Sequence, residues 1–185
     1  MLDNILLETE DKMDKTLQFL QQELAGLRTG KAHPSLVDTI TVDYYGTPTR
    51  LRDIANISTP EPRLIVINPF DPTSLGLIEK AIIAANIGIT PMNDGRLIRV
   101  PIPELSEERR KDMVKMAGRT TEEQRVAIRN IRRDANDQVK ALQKNGGITE
   151  DERDSALEDT QKSTNEHIKK MDDMLAAKEK EVLEV

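Results

Sequence analysis

At 185 residues, with 32% charged and 2% aromatic side chains and no tryptophan, the chain has room for one domain or two small ones. That composition suits helices that bury aliphatic stripes and solvate their other faces. No cysteine is present, which excludes disulfides, thiolate metal sites and a cysteine nucleophile. The start MLDNILLETEDK is acidic around a short apolar run, which argues against a signal peptide, and no apolar stretch approaches the roughly 20 residues of a membrane span. A soluble cytoplasmic protein is expected.

All nine prolines lie between Pro34 and Pro103, and the sequence on either side reads as helix. Residues 2–29 carry Leu6, Met13, Leu17, Leu20, Leu24 and Leu27, steps of seven, four and three that line one face of an amphipathic helix. Residues 30–104 have a different rhythm. Ile40, Val42 and Tyr44 alternate with polar neighbours before a YGTPT turn, and RLIVI (63–67) and RLIRV (96–100) read as further strands. Asp71 and Pro72 have the types of an N-cap and a first helical residue, ahead of a short helix that faces inward through Leu75, Ile78, Ile82 and Ala85 and ends near Gly88.

A second long helix is expected over 106–144, opened by SEE, closed at NGG and striped by Ile128, Ile131, Ala135, Val139 and Leu142. Its expected weak point is AGRTTEEQ (117–124), where Gly118 costs about 1 kcal/mol relative to alanine. The third begins with TEDE, a capping-box pattern from Thr149 to Glu152, and runs to the end through Leu157, Met171, Leu175 and Val182. None of these stripes is stable in water alone. The expected fold is therefore α+β: an elongated three-helix bundle (1–29 plus 105–185) with an inserted small β/α domain (30–104). Two connections would join the parts, with Gly30 in TGKAH (29–33) on one and Pro101 and Pro103 in PIPELS (101–106) on the other. A bending hinge and a rigid elbow are both compatible with them.

The charge is unevenly divided. The whole chain is net −6, yet residues 105–145 hold eleven basic and seven acidic side chains, net +4, while 146–185 are net −6. At about 100° per residue, Arg125, Arg129, Arg132, Arg133, Lys140 and Lys111 fall along one flank of the second helix. Asp112, Glu123, Asp134 and Asp137 fall on the opposite flank or the back, and Glu122 is the main acid on the basic side. Exposed ion pairs contribute only about 0–1 kcal/mol each, so stability alone is a poor reason for the cluster. A nucleic-acid backbone, an acidic protein surface and a solvated face pairing with the third helix remain open. Guanidinium grips phosphate in a planar fork, which favours the first. With four aromatics in the chain, base stacking has no platform, so recognition through the backbone and shape of folded RNA fits best.

Other signals fail. GLRTGKA (26–32) has one residue too few between its glycines for a phosphate-binding loop and Ala32 where a magnesium-holding hydroxyl belongs. His33 and His167 lack partners at metal-ligand spacing, so no metal is expected. No nucleophile and base stand together, and the chain reads as a non-enzyme.

LRTGKAHPSLVD, YYGTPT, LIRVPIPELSEERRKDM and VAIRNIRRDAND stand in the order and spacing of the ribosome recycling factor family, and the resemblance spans essentially the whole chain. It implies a three-helix bundle with an inserted β/α domain, a bending hinge and an overall shape like a transfer RNA. It implies a monomer that acts between the ribosomal subunits after termination, lying along large-subunit ribosomal RNA. Elongation factor G, hydrolysing GTP, would drive it, and this chain would need no cofactor of its own. Carried over position by position, Arg129, Arg132 and Arg133 are the implied RNA contacts, followed by Arg110 and Arg28, with Arg125 added by the charge geometry. Thr29, Gly30, Lys31, Pro103 and Glu104 fall at the implied hinge. Lys31 and His33 stand where the family pattern usually has Arg and Ser, so Lys31 keeps the charge and loses the fork. A helical adaptor that docks an acidic protein is the competing function.

Overall fold

The structure, a computed structural model, describes residues 1–184. The chain divides into two compact units, one built from Met1–Thr29 with the residues from Glu107 on, the other from Gly30–Ser106. Long helices and a small antiparallel sheet domain make the α+β fold expected from the sequence.

Helix α1 (Leu2–Ala25) buries Met13, Leu20 and Leu24, with Leu17 and Leu27 packed at their edge. It ends four residues before the expected Thr29. The Gly26 N–H donates to the Gln22 carbonyl at 3.0 Å, the Leu27 N–H to Leu24 at 3.2 Å, and this tighter turn releases the chain.

The inserted unit opens with a single 3-10 turn at Pro34–Leu36, where His33 Nδ1 accepts from the Ser35 N–H at 3.2 Å. His33 thus serves as a local cap. Strands β1 (Thr41–Tyr44) and β2 (Thr47–Arg50) pair as a hairpin. Tyr45 and Gly46 at its tip have φ of 50° and 79°, the two left-handed residues that let a two-residue turn match the strand twist. A helical turn, α2 (Leu51–Ile54), leads to β3 (Ala55–Glu61) and β4 (Leu64–Pro69). Asp71 then caps a 3-10 turn at Pro72–Ser74 before α3 (Leu75–Ala84). Asp71 therefore caps the preceding turn and not the α-helix itself. Helix α3 buries Leu75, Ile78 and Ile82, but Ala85 is exposed just past its end, which corrects the expected inner face and the expected stop near Gly88. Strands β5 (Met92–Asn93) and β6 (Ile98–Pro101) complete a four-stranded antiparallel sheet in the order β3-β4-β6-β5. Ile65, Ile67, Ile98 and Val100 from its two central strands meet α3 in one core.

Helix α4 (Glu107–Lys144) has 38 residues, about 57 Å at about 1.5 Å each. It runs unbroken through 117–124, where a weak point was expected, with Ala117 and Thr121 buried. Gly146, at φ +75°, makes the joint. Helix α5 (Glu150–Leu183) opens with the full capping box: Glu152 N–H donates to Thr149 Oγ1 at 3.2 Å and Thr149 N–H to the Glu152 carboxylate at 2.7 Å. Each of α1, α4 and α5 packs on the other two. Their shared interior is partly polar. Thr9, Thr121, Thr160 and Thr164 are buried, and each hydroxyl donates to the carbonyl four residues earlier at 2.6–2.8 Å. Those bonds satisfy the hydroxyls within their own helices, so the helices approach closely with no orphaned donor.

Candidate nucleic-acid interface

The basic flank of α4 exists because Ile128, Ala135 and Val139 turn inward and hold the helix against α1 and α5. The arginines beside that stripe are carried at its margin, next to α5. Their surroundings divide them.

Arg125 is well enclosed, its side chain only 20% exposed. Its Nε donates to Asp172 Oδ1 on α5 at 2.9 Å, and one terminal nitrogen donates to Glu122 Oε2 at 2.9 Å. Burial works against the charge, but the bonds to Asp172 and Glu122 outweigh it and hold the guanidinium pKa above its ordinary value. Glu122 also accepts from Arg129 at 3.1 Å. Hydrogen bonds from Arg125 and then Arg129 hold the Glu122 carboxyl below the usual glutamate range. The main acid on the basic side thus bridges two of its arginines.

Arg132 is different. It donates to Gln161 Oε1 on α5 at 3.1 Å, and Gln161 in turn donates to Asn165 Oδ1 at 2.9 Å. A neutral amide orients this guanidinium without cancelling its charge. Arg133 and Lys140 are exposed, and among the described residues no carboxylate lies within ion-pair distance of either, or of Arg132. Lys111 pairs with Glu107 at 2.7 Å. The flank offers its uncompensated charge at Arg132, Arg133 and Lys140, while Arg125 and half of Arg129 are engaged within the bundle.

Arg110 departs from this line. It precedes Ile128 by eighteen residues, close to five turns at about 3.6 residues each, so it starts from the bundle-facing direction and is half-buried. Arg28 is exposed after the end of α1. Of the expected hinge residues, Thr29 donates to Glu181 at 3.1 Å within the bundle unit. Gly30 has φ +79°, and a β-carbon there would sit 3.4 Å from Leu105 Cγ. Lys31 and Pro103 are exposed, and Glu104 forms an ion pair with Arg63.

Sequence reading missed two things. Gln161 and Asn165 look like generic polar helix residues until α5 is laid beside Arg132. His167, without partners in linear spacing, meets Glu10 and Asp14 across the α1/α5 packing. Among the described residues, no helix is long and apolar enough to cross a membrane.

Comparison with known proteins is consistent with this architecture. The family model described as "Ribosome recycling factor" matches residues 20–183. The ribosome-recycling factor of Oleidesulfovibrio alaskensis is 49% identical over 184 residues and that of Bacillus subtilis 50% over 185, each covering 100% of both chains. A solution structure of a ribosome recycling factor aligns with TM-score 0.80 at 40% identity, covering 100% of this chain and 98% of that one. The T. thermophilus ribosome recycling factor, described with E. coli elongation factor G on the E. coli post-termination complex, aligns with TM-score 0.67 at 43% identity over 100% of both chains. With a family match across most of its length and full-length relatives at about half identity, this chain belongs to the ribosome recycling factor family.

Proposed function

We propose that this chain binds the post-termination ribosome between its subunits through the basic flank of α4 and, with elongation factor G and GTP, promotes subunit dissociation for a new round of translation. The family supplies the process, and a relative described together with elongation factor G on a post-termination complex supplies the partner. The observation that carries the interface is Arg132, tethered to a neutral amide beside exposed Arg133, with no carboxylate to quench either among the described residues. Folded ribosomal RNA suits that charge, because phosphate accepts the guanidinium fork and releases counterions. Arg129 contributes the nitrogens Glu122 leaves unused, Arg110 and Arg28 extend the contact, and Arg125 braces α4 against α5.

On this reading the protein is a translation factor without catalysis or cofactor of its own. The free energy for splitting comes from GTP hydrolysis on the partner, the bundle transmits force, and the chain works as a monomer in the cytoplasm. The deciding experiment measures subunit release from purified post-termination complexes with and without elongation factor G and GTP. Release should require both proteins. Strong affinity for an acidic protein with none for large subunits would instead establish an adaptor.

A further inference from the structure

The chemistry of Arg132 sets the direction of a hydrogen-bond chain that leaves α4 and ends on α5. A guanidinium only donates, so the Gln161 atom 3.1 Å from it is the amide oxygen, and the Gln161 nitrogen is left to donate onward. That nitrogen donates to Asn165 Oδ1 at 2.9 Å, which fixes the Asn165 amide the same way round. Asn165 Nδ2 is therefore the free end of the chain: two N–H groups on an exposed side chain, with no acceptor for them among the described residues. The positive charge at the start polarises each amide in turn, which makes the terminal group a stronger donor than an isolated asparagine.

The charge around Asn165 favours the same kind of ligand. Residues 146–185 hold six basic and twelve acidic side chains, but between Asp159 and Asp172 stand three lysines and a single acid, Glu166. Lys162 and Lys169 lie three residues before Asn165 and four after it, so each is its neighbour one turn away, with about 5–6 Å between β-carbons. Both are exposed, and among the described residues no carboxylate comes within ion-pair distance of either. Glu166 falls about 100° round the helix from Asn165. Acid returns to this flank at Asp172, where it is engaged by Arg125. The unopposed stretch of α5 thus lies beside Arg132, which is unopposed on α4. A row of donors without acceptors suits oxyanions. We propose that Lys162, Asn165 and Lys169 form a second row of the RNA-contacting surface, a strip on α5 that donates to phosphate and ribose oxygens beside those held by Arg132 and Arg133. This rests on the ribosomal-RNA reading of the α4 flank and carries it across the seam between α4 and α5.

The test compares the affinity of full-length variants for purified large ribosomal subunits across a salt series. Asn165→Asp still accepts the hydrogen bond from Gln161 but loses both donors and adds a negative charge, so it separates contact with RNA from a purely structural part in the network. It should weaken binding about tenfold or more, with the melting temperature unchanged. Lys162→Gln combined with Lys169→Gln should make the salt dependence shallower by about two counterions. Lys170→Gln, about 140° round the helix from Asn165, should match the native chain. Arg132→Ala, measured alongside, keeps the two readings apart. If it weakens binding while Asn165→Asp and the lysine pair bind like the native chain, the α5 row is overturned and the α4 interface stands. If no variant weakens binding, both fall. Affinity lost from the lysine pair with an unchanged salt slope would put the row against a protein surface, and that result also overturns the proposal.

Discussion

Arg125 and Arg132 stand seven residues apart on one helix flank, and their neighbours give them different work. Arg125 meets two carboxylates, Asp172 and Glu122, whereas Arg132 meets the amide of Gln161. Replacing each by alanine should therefore separate stability from binding. Arg125→Ala removes three charged hydrogen bonds to two carboxylates and the brace between α4 and α5, so it should lower unfolding free energy by about 1 kcal/mol, as partly enclosed ion pairs do. Its effect on ribosome affinity should be the smaller of the two. Arg132→Ala should leave stability within about 0.5 kcal/mol and weaken large-subunit binding by about 1–3 kcal/mol. The salt dependence of binding should also become shallower by about one counterion. Urea denaturation and subunit binding on the same two variants decide the matter. Equal affinity losses would place both arginines at the RNA and contradict the division drawn from their partners.

At the scale of the helix, two features follow from residues that packing leaves undecided. Gly118 lies in the interior of α4 with no neighbouring atom outside its own helix backbone within 4 Å of where a β-carbon would go, so Gly118→Ala should raise stability by about 1 kcal/mol through helix propensity alone. Chemical denaturation reads this directly, and no gain would mean the helix is not continuous there. The capping box opening α5 makes a pH-dependent contribution. Hydrogen bonds from the Thr149 N–H and hydroxyl hold the Glu152 carboxyl below its ordinary value. Its contribution is thus present above the unfolded pKa and is lost as pH falls through the folded one. Thr149→Ala should cost about 0.5–2 kcal/mol at neutral pH, and its melting deficit should shrink in acid as native Glu152 also protonates; a deficit independent of pH would contradict the reciprocal cap. The same helix shows how far the sequence was legible. Long apolar repeats announced α1 and α4, and turn chemistry announced the hairpin and the α5 cap. The buried stripe of α5, however, runs Ala156, Thr160, Thr164, His167, Met171. An apolar search jumps from Leu157 to Met171, because threonines whose hydroxyls bond their own helix pass as surface residues. Strand β3 was missed for a related reason: its burial falls mainly at Ala55, so no alternation marks it. Gln161 and the Glu10–Asp14–His167 group depend on residues far apart in the chain, and only packing brings them together.

For the molecule as a whole, the central fact is that one unit is inserted into the other, so the chain crosses between them twice, after Thr29 and after Ser106. Gly30 begins the inserted unit at φ +79°, with Leu105 of the return connection beside it. Few side chains tolerate that position, because its backbone is left-handed, while a β-carbon would make only ordinary contact with Leu105. Proline, fixed near φ −65°, cannot adopt it at all. Gly30→Pro should therefore redirect the first crossing while leaving α1, α4 and α5 packed, because none of their buried residues lies within the connection. If splitting by elongation factor G requires the two units to move through that joint, the variant should bind large subunits with near-native affinity yet release them slowly. Far-ultraviolet dichroism would show the helices intact, and single-turnover release would expose the defect. Gly30→Ala, which retains some access to positive φ, should fall between the two. Normal release by the proline variant would show that the crossing at Gly30 is a spacer, and the search for the moving joint would shift to the return connection over 101–106.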